Sequence, residues 1–177
     1  SSAASDVYKR QGVTPKLLVK EGDRVKAGTP LFFNKYNERV LFTSPVSGTV
    51  AAVNRGEKRK VLSVTVTPDA SQEYEEFEKT DLGSASREQI VSLLLRSGLW
   101  PMIVQRPYGI IADPSDTPKA VFISAFDSAP LAPDYNFVLK AEQKNLQTGI
   151  DVMRKLTPGK VLSLIHISEP TRLQLIS

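Results

Sequence analysis

Between residues 12 and 68 every apolar run is cut after a few residues by a turn signal: Gly22-Asp23, then Gly28 and Pro30, then Pro45 with Ser47-Gly48. Glycine tolerates positive φ and aspartate bonds to its own backbone, so these positions reverse the chain. A segment cut at this interval has no room for a helix of several turns. The runs between the cuts, at 16–20, 30–33, 40–43, 48–53 and 60–67, are predicted strands. The last alternates Val61, Ser63, Thr65, Thr67 against Leu62, Val64 and Val66, which predicts one buried face.

The two halves VKEGDRVKAGTPL and TSPVSGTV resemble the barrel-sandwich hybrid of biotinyl and lipoyl carrier domains, and that fold is expected for residues 12–68. A carrier needs an exposed lysine at the hairpin tip between the halves. Lys35 is near that place, but its neighbours Asn34, Tyr36 and Asn37 match neither a biotin site nor a lipoyl site, and counting back from Pro45 points nearer to Asn37. An ordinary solvated loop is the stronger expectation, with a carrier domain as an alternative.

Charge changes sharply after this module. Ten Lys or Arg stand against four Asp or Glu from 12 to 68, and an acidic stretch follows, so residues 69–85 are expected to be a solvated linker. Glu73, Glu75, Glu76 and Glu78 belong to that linker rather than to a cation site. Beyond it, Ser86 with Gln89 writes a capping box, and the apolar run from Ile90 to Leu95 stops before Gly98. Residues 119–125 (KAVFISA) predict a strand covered on both faces. Leu139, Leu146, Ile150, Met153 and Leu156 then fall at helical spacing over 136–156, and Lys160 begins another apolar run. Strand, amphipathic helix and strand predict a βαβ unit, hence an incomplete Rossmann-like α/β domain over 86–163. The expected class is thus mixed β and α/β. Residues 1–11 and 164–177 lack such patterns and resemble translated adaptor strings; both are expected to be non-native ends, and the chain an internal fragment.

Composition removes several classes of chemistry. The 177 residues contain no cysteine and one histidine, His166, so thiol catalysis, cysteine-zinc and iron–sulfur ligation are excluded within the chain. No catalytic residue and no metal site is expected. A net charge of +4 is too mild to indicate nucleic acid, which is not an expected partner. No stretch is apolar enough for a membrane span.

Over a longer window, VKEGDRVKAGTPLF, LFTSPVSGTVAAVNRGEKRKVLSVTV, SREQIVSLLLRSGLW with QRP, AVFISAFDSAPLAP and LTPGKV together resemble the A-subunit family of the bacterial sodium-translocating NADH:quinone reductase. The resemblance runs from Gly12 to Val161. It implies that half or more of the subunit lies outside this chain. It also implies a peripheral position on the cytoplasmic face of the bacterial inner membrane, with the membrane-embedded subunits of the complex as partners. Quinone is the implied substrate, and the flavins and iron centre would sit on other subunits. Related flavin-bearing subunits, including the C subunit of the Rnf complex, carry a glycine-rich phosphate loop. Here the comparable place reads Ser97-Gly98-Leu99-Trp100-Pro101, and one glycine cannot make that cradle, so no cofactor is expected on this chain and Rnf remains an alternative.

A quinone site needs an apolar, aromatic slot with a few hydrogen-bond donors. Trp100, Tyr108 and Phe126 would line such a slot, Arg106 or Lys35 would donate, and Asp127 and Ser128 follow a strand at its carboxyl edge. The competing expectations are a core anchor for Trp100 and a capping turn for Asp127. Arg55, Lys58, Arg59 and Lys60 form a charged loop, either a plain hairpin tip or a contact with an acidic partner or lipid headgroups. The fragment alone is expected to be inactive, and a purely structural docking scaffold shares all these features.

Overall fold

The turn-punctuated segment folds as two antiparallel sheets. The computed structural model describes residues 3–6, 13–57, 61–125, 139, 142–165 and 174–175. One sheet has the order β1-β7-β6-β3, with β1 at Ala3–Asp6, β3 at Arg24–Val25, β6 at Gly48–Arg55 and β7 at Val61–Pro68. The other has the order β2-β4-β5, with β2 at Pro15–Leu17, β4 at Pro30–Asn34 and β5 at Asn37–Thr43. Leu31, Phe32, Val40 and Phe42 from the second sheet and Val25, Val50, Val64 and Val66 from the first are all buried. Burying each such side chain contributes about 1.5–3 kcal/mol. Phe32 and Phe42 are cross-strand partners whose rings stack at 4.7 Å.

Register shifts adjust the period-2 pattern at several points, and two of them change which residues are buried. A register shift between Pro30 and Phe32 lets the consecutive Leu31 and Phe32 both turn inward. Another, where Asn54 pairs with Ser63 but Arg55 with Val61, puts Val61 among the buried residues beside Val64 and Val66. The strict alternation expected of β7 therefore holds for Val64 and Val66 and fails at Val61 and Leu62, because a bulge adds one residue to the ladder.

The turns do what their residues imply. Asp23 Oδ2 accepts the Lys20 N–H at 2.8 Å, and the Gly22 and Val50 amides bond across to Val50 and Asp23 carbonyls at 2.9 Å each. At the turn after β5, Ser44 and Ser47 are buried. Ser44 N–H donates to Thr29 O, Ser44 Oγ donates to Val46 O, Ser47 N–H donates to Gln72 Oε1, and Ser47 Oγ accepts the Glu73 N–H. Gly48 sits so close to β7 that a Cβ would fall on the Thr67 carbonyl oxygen.

The acidic stretch is not a free tether. Tyr74 makes a parallel bridge to Ala27, with Ala27 N–H to Glu73 O at 2.9 Å and Glu75 N–H to Ala27 O at 2.8 Å. Asp69 pairs with Arg24 at 2.8 Å. Composition breaks at Asp69, whereas the compact unit carries on to Thr80; that unit holds residues 1–80 and 91–113, and a second holds 81–90 and 114–177. Ala3–Asp6, set aside on sequence, pairs antiparallel with Val66–Ser63 of β7. An edge strand is held by main-chain bonds, which need no side-chain pattern.

The second unit contains the expected βαβ. β10 at Ala120–Ala125 runs parallel to β11 at Lys160–Ile165, in register from Ala120↔Lys160 to Ala125↔Ile165. Between them lies α2 at Gln143–Arg154, with Ile150 buried and Leu156 and Val161 buried after it. β12 at Gln174–Leu175 joins β11 antiparallel. The expected double coverage of β10 is corrected: Phe122 is 66% exposed, so one face is open among the described residues. Lys155 Nζ donates to Gly83 O and Ala85 O, and Arg87 donates to Leu156 O and Asp116 O, which ties residues 81–90 into this unit.

Helix α1 at Arg87–Arg96 starts on the predicted capping box: Gln89 N–H donates to Ser86 Oγ at 3.3 Å and Ser86 N–H to Gln89 Oε1 at 2.8 Å. Just upstream, the Ser84 hydroxyl and then the Gly83 N–H hold the Asp81 carboxyl below its ordinary pKa. The Glu88 carboxyl is lowered by its own backbone N–H and then by the Ser86 hydroxyl.

Gly48→Ala is expected to destabilise the first unit by about 2–3 kcal/mol, the upper range for overpacking. Gly149→Ala, in α2 with open space around it, should stabilise the second unit by about 0.5–1 kcal/mol. Urea denaturation of the two variants checks both signs. Because Asp81 and Glu88 are both lowered on folding, their stabilisation is fully present above the unfolded values of about 3.9 and 4.3 and is lost as pH falls through the folded values. Ser84→Ala should move the Asp81 carboxyl upward in an NMR titration and leave Glu88 unchanged.

Candidate functional site

Helix α1 ends in a Schellman motif that points the chain into the candidate region. Leu99 N–H reaches back to Leu94 O and Gly98 N–H to Leu95 O, with Gly98 at φ +72°. A Cβ on Gly98 would collide with the Thr43 side chain, so the turn lies directly against β5.

A single 3-10 turn at Trp100–Met102 follows, then β8 at Val104–Gln105 and β9 at Ile110–Ile111, joined by the loop from Arg106 to Gly109. Val104 pairs with Ile111 and Gln105 with Ile110, and the Arg106–Pro107 peptide is cis. The root of this hairpin is fixed by Trp100, which is 3% exposed and donates Nε1–H to Ala112 O at 2.8 Å. Ala112 N–H in turn donates to Ile103 O at 2.9 Å. A buried indole with its N–H satisfied is the arrangement expected of an anchor.

The residues named for a quinone site thus meet different surroundings. Trp100 packs at the root, while Arg106 and the 74%-exposed Tyr108 stand at the tip of the hairpin. Phe126, Asp127 and Ser128 lie outside the described residues. Of the charged loop, Arg55 ends β6 and is exposed, whereas Lys58, Arg59 and Lys60 lie outside the described residues. Lys35 is exposed in the two-residue turn that it forms with Tyr36, and Asn37 pairs with Asn34 to close that turn. Lys35, rather than Asn37, is therefore at the tip.

The sequence patterns did not single out Leu99, Met102, Val104 and Ile110. With Tyr108 they make up five of the nine exposed large hydrophobic residues among the described ones, so the exposed apolar surface concentrates on this hairpin. The signal was available: from Ser97 to Ala112 the only charged residue is Arg106. Among the described residues no group of three or more His, Cys, Asp or Glu is placed to hold a metal, and no helix is long and apolar enough to cross a membrane.

Comparison with known families gives two matches in chain order. Residues 2–69 match the NqrA N-terminal barrel-sandwich hybrid domain, and residues 85–174 match the NqrA second alpha/beta domain. A curated relative from Yersinia pseudotuberculosis serotype O:1b, named as the A subunit of Na(+)-translocating NADH-quinone reductase, is 41% identical over 152 residues, which is 85% of this chain and 34% of the relative. Those from Photorhabdus laumondii and Haemophilus influenzae carry the same name at 40% and 37% identity, over 85% and 86% of this chain and 34% and 35% of theirs. The chain spans about a third of the length of these relatives.

Trp100 tests how the hairpin is held. Trp100→Phe, which keeps most of the packing but loses the bond to Ala112 O, should cost the first unit about 1–2 kcal/mol, and Trp100→Ala about 3–5 kcal/mol. Thermal denaturation ranks the two; a Trp100→Phe variant as stable as the parent would mean that the indole N–H contributes nothing.

Proposed function

The chain belongs to the NqrA family, and from that premise we propose that it serves as part of the peripheral subunit of a sodium-translocating NADH:quinone reductase, contributing binding surface to the quinone site. The observation that carries this reading is the hairpin tip. Arg106 and Tyr108 are both exposed in the 106–109 turn, with apolar neighbours in sequence and no carboxylate between Ser97 and Ala112. A guanidinium and a phenol both donate hydrogen bonds, and quinone carbonyls accept them. Trp100 acts as a positioning residue, holding the root from which the tip projects.

On this reading the chain binds and orients quinone, and electrons reach it from flavins and an iron centre on other subunits. With no cysteine and one histidine, the chain's own side chains supply no electron relay. Its partners are the membrane-embedded subunits, and its place is the cytoplasmic face of the bacterial inner membrane. Both matched domain families are NqrA's, so the alternative of an Rnf-type chain is not supported. A docking scaffold without quinone contact remains the second reading, favoured by the burial of Trp100.

Photo-crosslinking of the assembled, active complex with a diazirine-bearing quinone, followed by peptide mapping over 97–131, separates the two. Label on the 99–111 hairpin is expected, together with a several-fold higher quinone KM for Arg106→Gln. Label confined to other subunits would leave the scaffold reading. The isolated chain should not oxidise NADH.

A further inference from the structure

The geometry points to the 99–111 hairpin as a lipid-seeking finger that seats in the interface of an anionic membrane. Three observations converge on that occupant. First, apolar side chains are exposed on both faces of the ribbon. Val104 and Ile110 occupy non-partner positions of the two-stranded ladder, hence opposite faces, at 51% and 44% exposure. A flat protein partner would cover one face; a bilayer surrounds both.

Second, the ribbon is too short to hold itself together in water. Two strands of two residues each make up the whole sheet, and an isolated hairpin even of normal length is marginal. Its root is nevertheless firm, through Trp100 and Ala112. From Val104 to Pro107 the chain spans at most roughly 10 Å, no more than the depth of the headgroup and acyl boundary.

Third, the side chains on the hairpin suit the headgroup region more than the hydrocarbon core. Leu99, Met102, Val104 and Ile110 supply aliphatic area, and Tyr108 is an interfacial side chain with an apolar ring and a polar end. Arg106 is the one charge from Ser97 to Ala112, and it complements an anionic surface. No carboxylate in that stretch has to be desolvated or brought against lipid phosphates. Insertion needs no quinone, so it stands apart from the quinone reading.

The chain has no cysteine, so a single introduced thiol can be labelled cleanly. Tyr108→Cys carrying an environment-sensitive fluorophore should shift to the blue on vesicles of phosphatidylglycerol and phosphatidylethanolamine, and not on phosphatidylcholine alone. Tyr36→Cys, at the other exposed tip, should not shift on either. Co-sedimentation of the full 177-residue chain with the same quinone-free vesicles should fall about fivefold for Arg106→Gln, the effect of one basic residue at the surface. It should fall roughly tenfold for Val104→Ser with Ile110→Ser. Circular dichroism of each variant separates loss of insertion from loss of fold. No shift at position 108, equal shifts at 108 and 36, or vesicle binding indifferent to all three substitutions overturns the inference. So does a shift at position 108 that grows with protein concentration in the absence of vesicles, which would make a second copy the occupant. Failure here leaves the quinone labelling of the assembled complex untouched, and the converse holds.

Discussion

The first unit depends on a buried polar turn. Residues 44–48 carry the chain out of β5 and into β6, in a place where backbone groups are cut off from water. Each buried donor or acceptor left unpaired would cost about 1–3 kcal/mol. Ser44 and Ser47 remove that cost locally, and Gln72 and Glu73 complete the set from a segment more than twenty residues later. No buried side-chain nitrogen or oxygen among the described residues lacks a partner. The acidic stretch is therefore held by the needs of this turn and by its bridge at Ala27, more than by its charges; the Lys26–Glu73 pair, at 3.8 Å with both side chains more than half exposed, adds little.

The same unit receives helix α1 and then projects the hairpin. Gly98 lies against Thr43, so the helix ends where β5 is, and Trp100 is buried only four residues beyond Arg96. Over this short distance the chain passes from a core anchor to a tip where Tyr108 is largely in water. A firm root with an exposed apolar end is costly unless the end has somewhere to go. That contrast is what makes the hairpin the functional candidate, both as quinone contact and as membrane contact.

Much of the fold was legible because it rests on local rules. Turn residues at Gly22-Asp23 and Ser47-Gly48, the capping box at Ser86 and the helical spacing of Leu146 and Ile150 all act within a few residues, and all reappear in the structure. The charge break at Asp69 was legible too, and the two family matches divide around it, ending at 69 and resuming at 85; that the stretch between also folds back on Ala27 was not. A composition change marks a boundary, while the pairing of that stretch with Ala27 and Arg24 depends on residues far off in sequence. The site was partly legible: Trp100, Arg106 and Tyr108 stand out by type, while Leu99, Met102, Val104 and Ile110 look like core residues until their exposure is known.

Sequence alone determined the class of each half, the helix stops, the parallel βαβ unit and the absence of thiol or cluster chemistry, because those follow from residue type and spacing. Tertiary structure decided which apolar residues stay in water, that Val61 turns inward while Leu62 does not, and that Ala3–Asp6 adds to β7 without any pattern of its own. The physical reason is the same each time. Exposure, bulges and edge pairing depend on what the rest of the chain brings alongside, and hydrogen bonds between main chains carry no signature in the side chains that a sequence records.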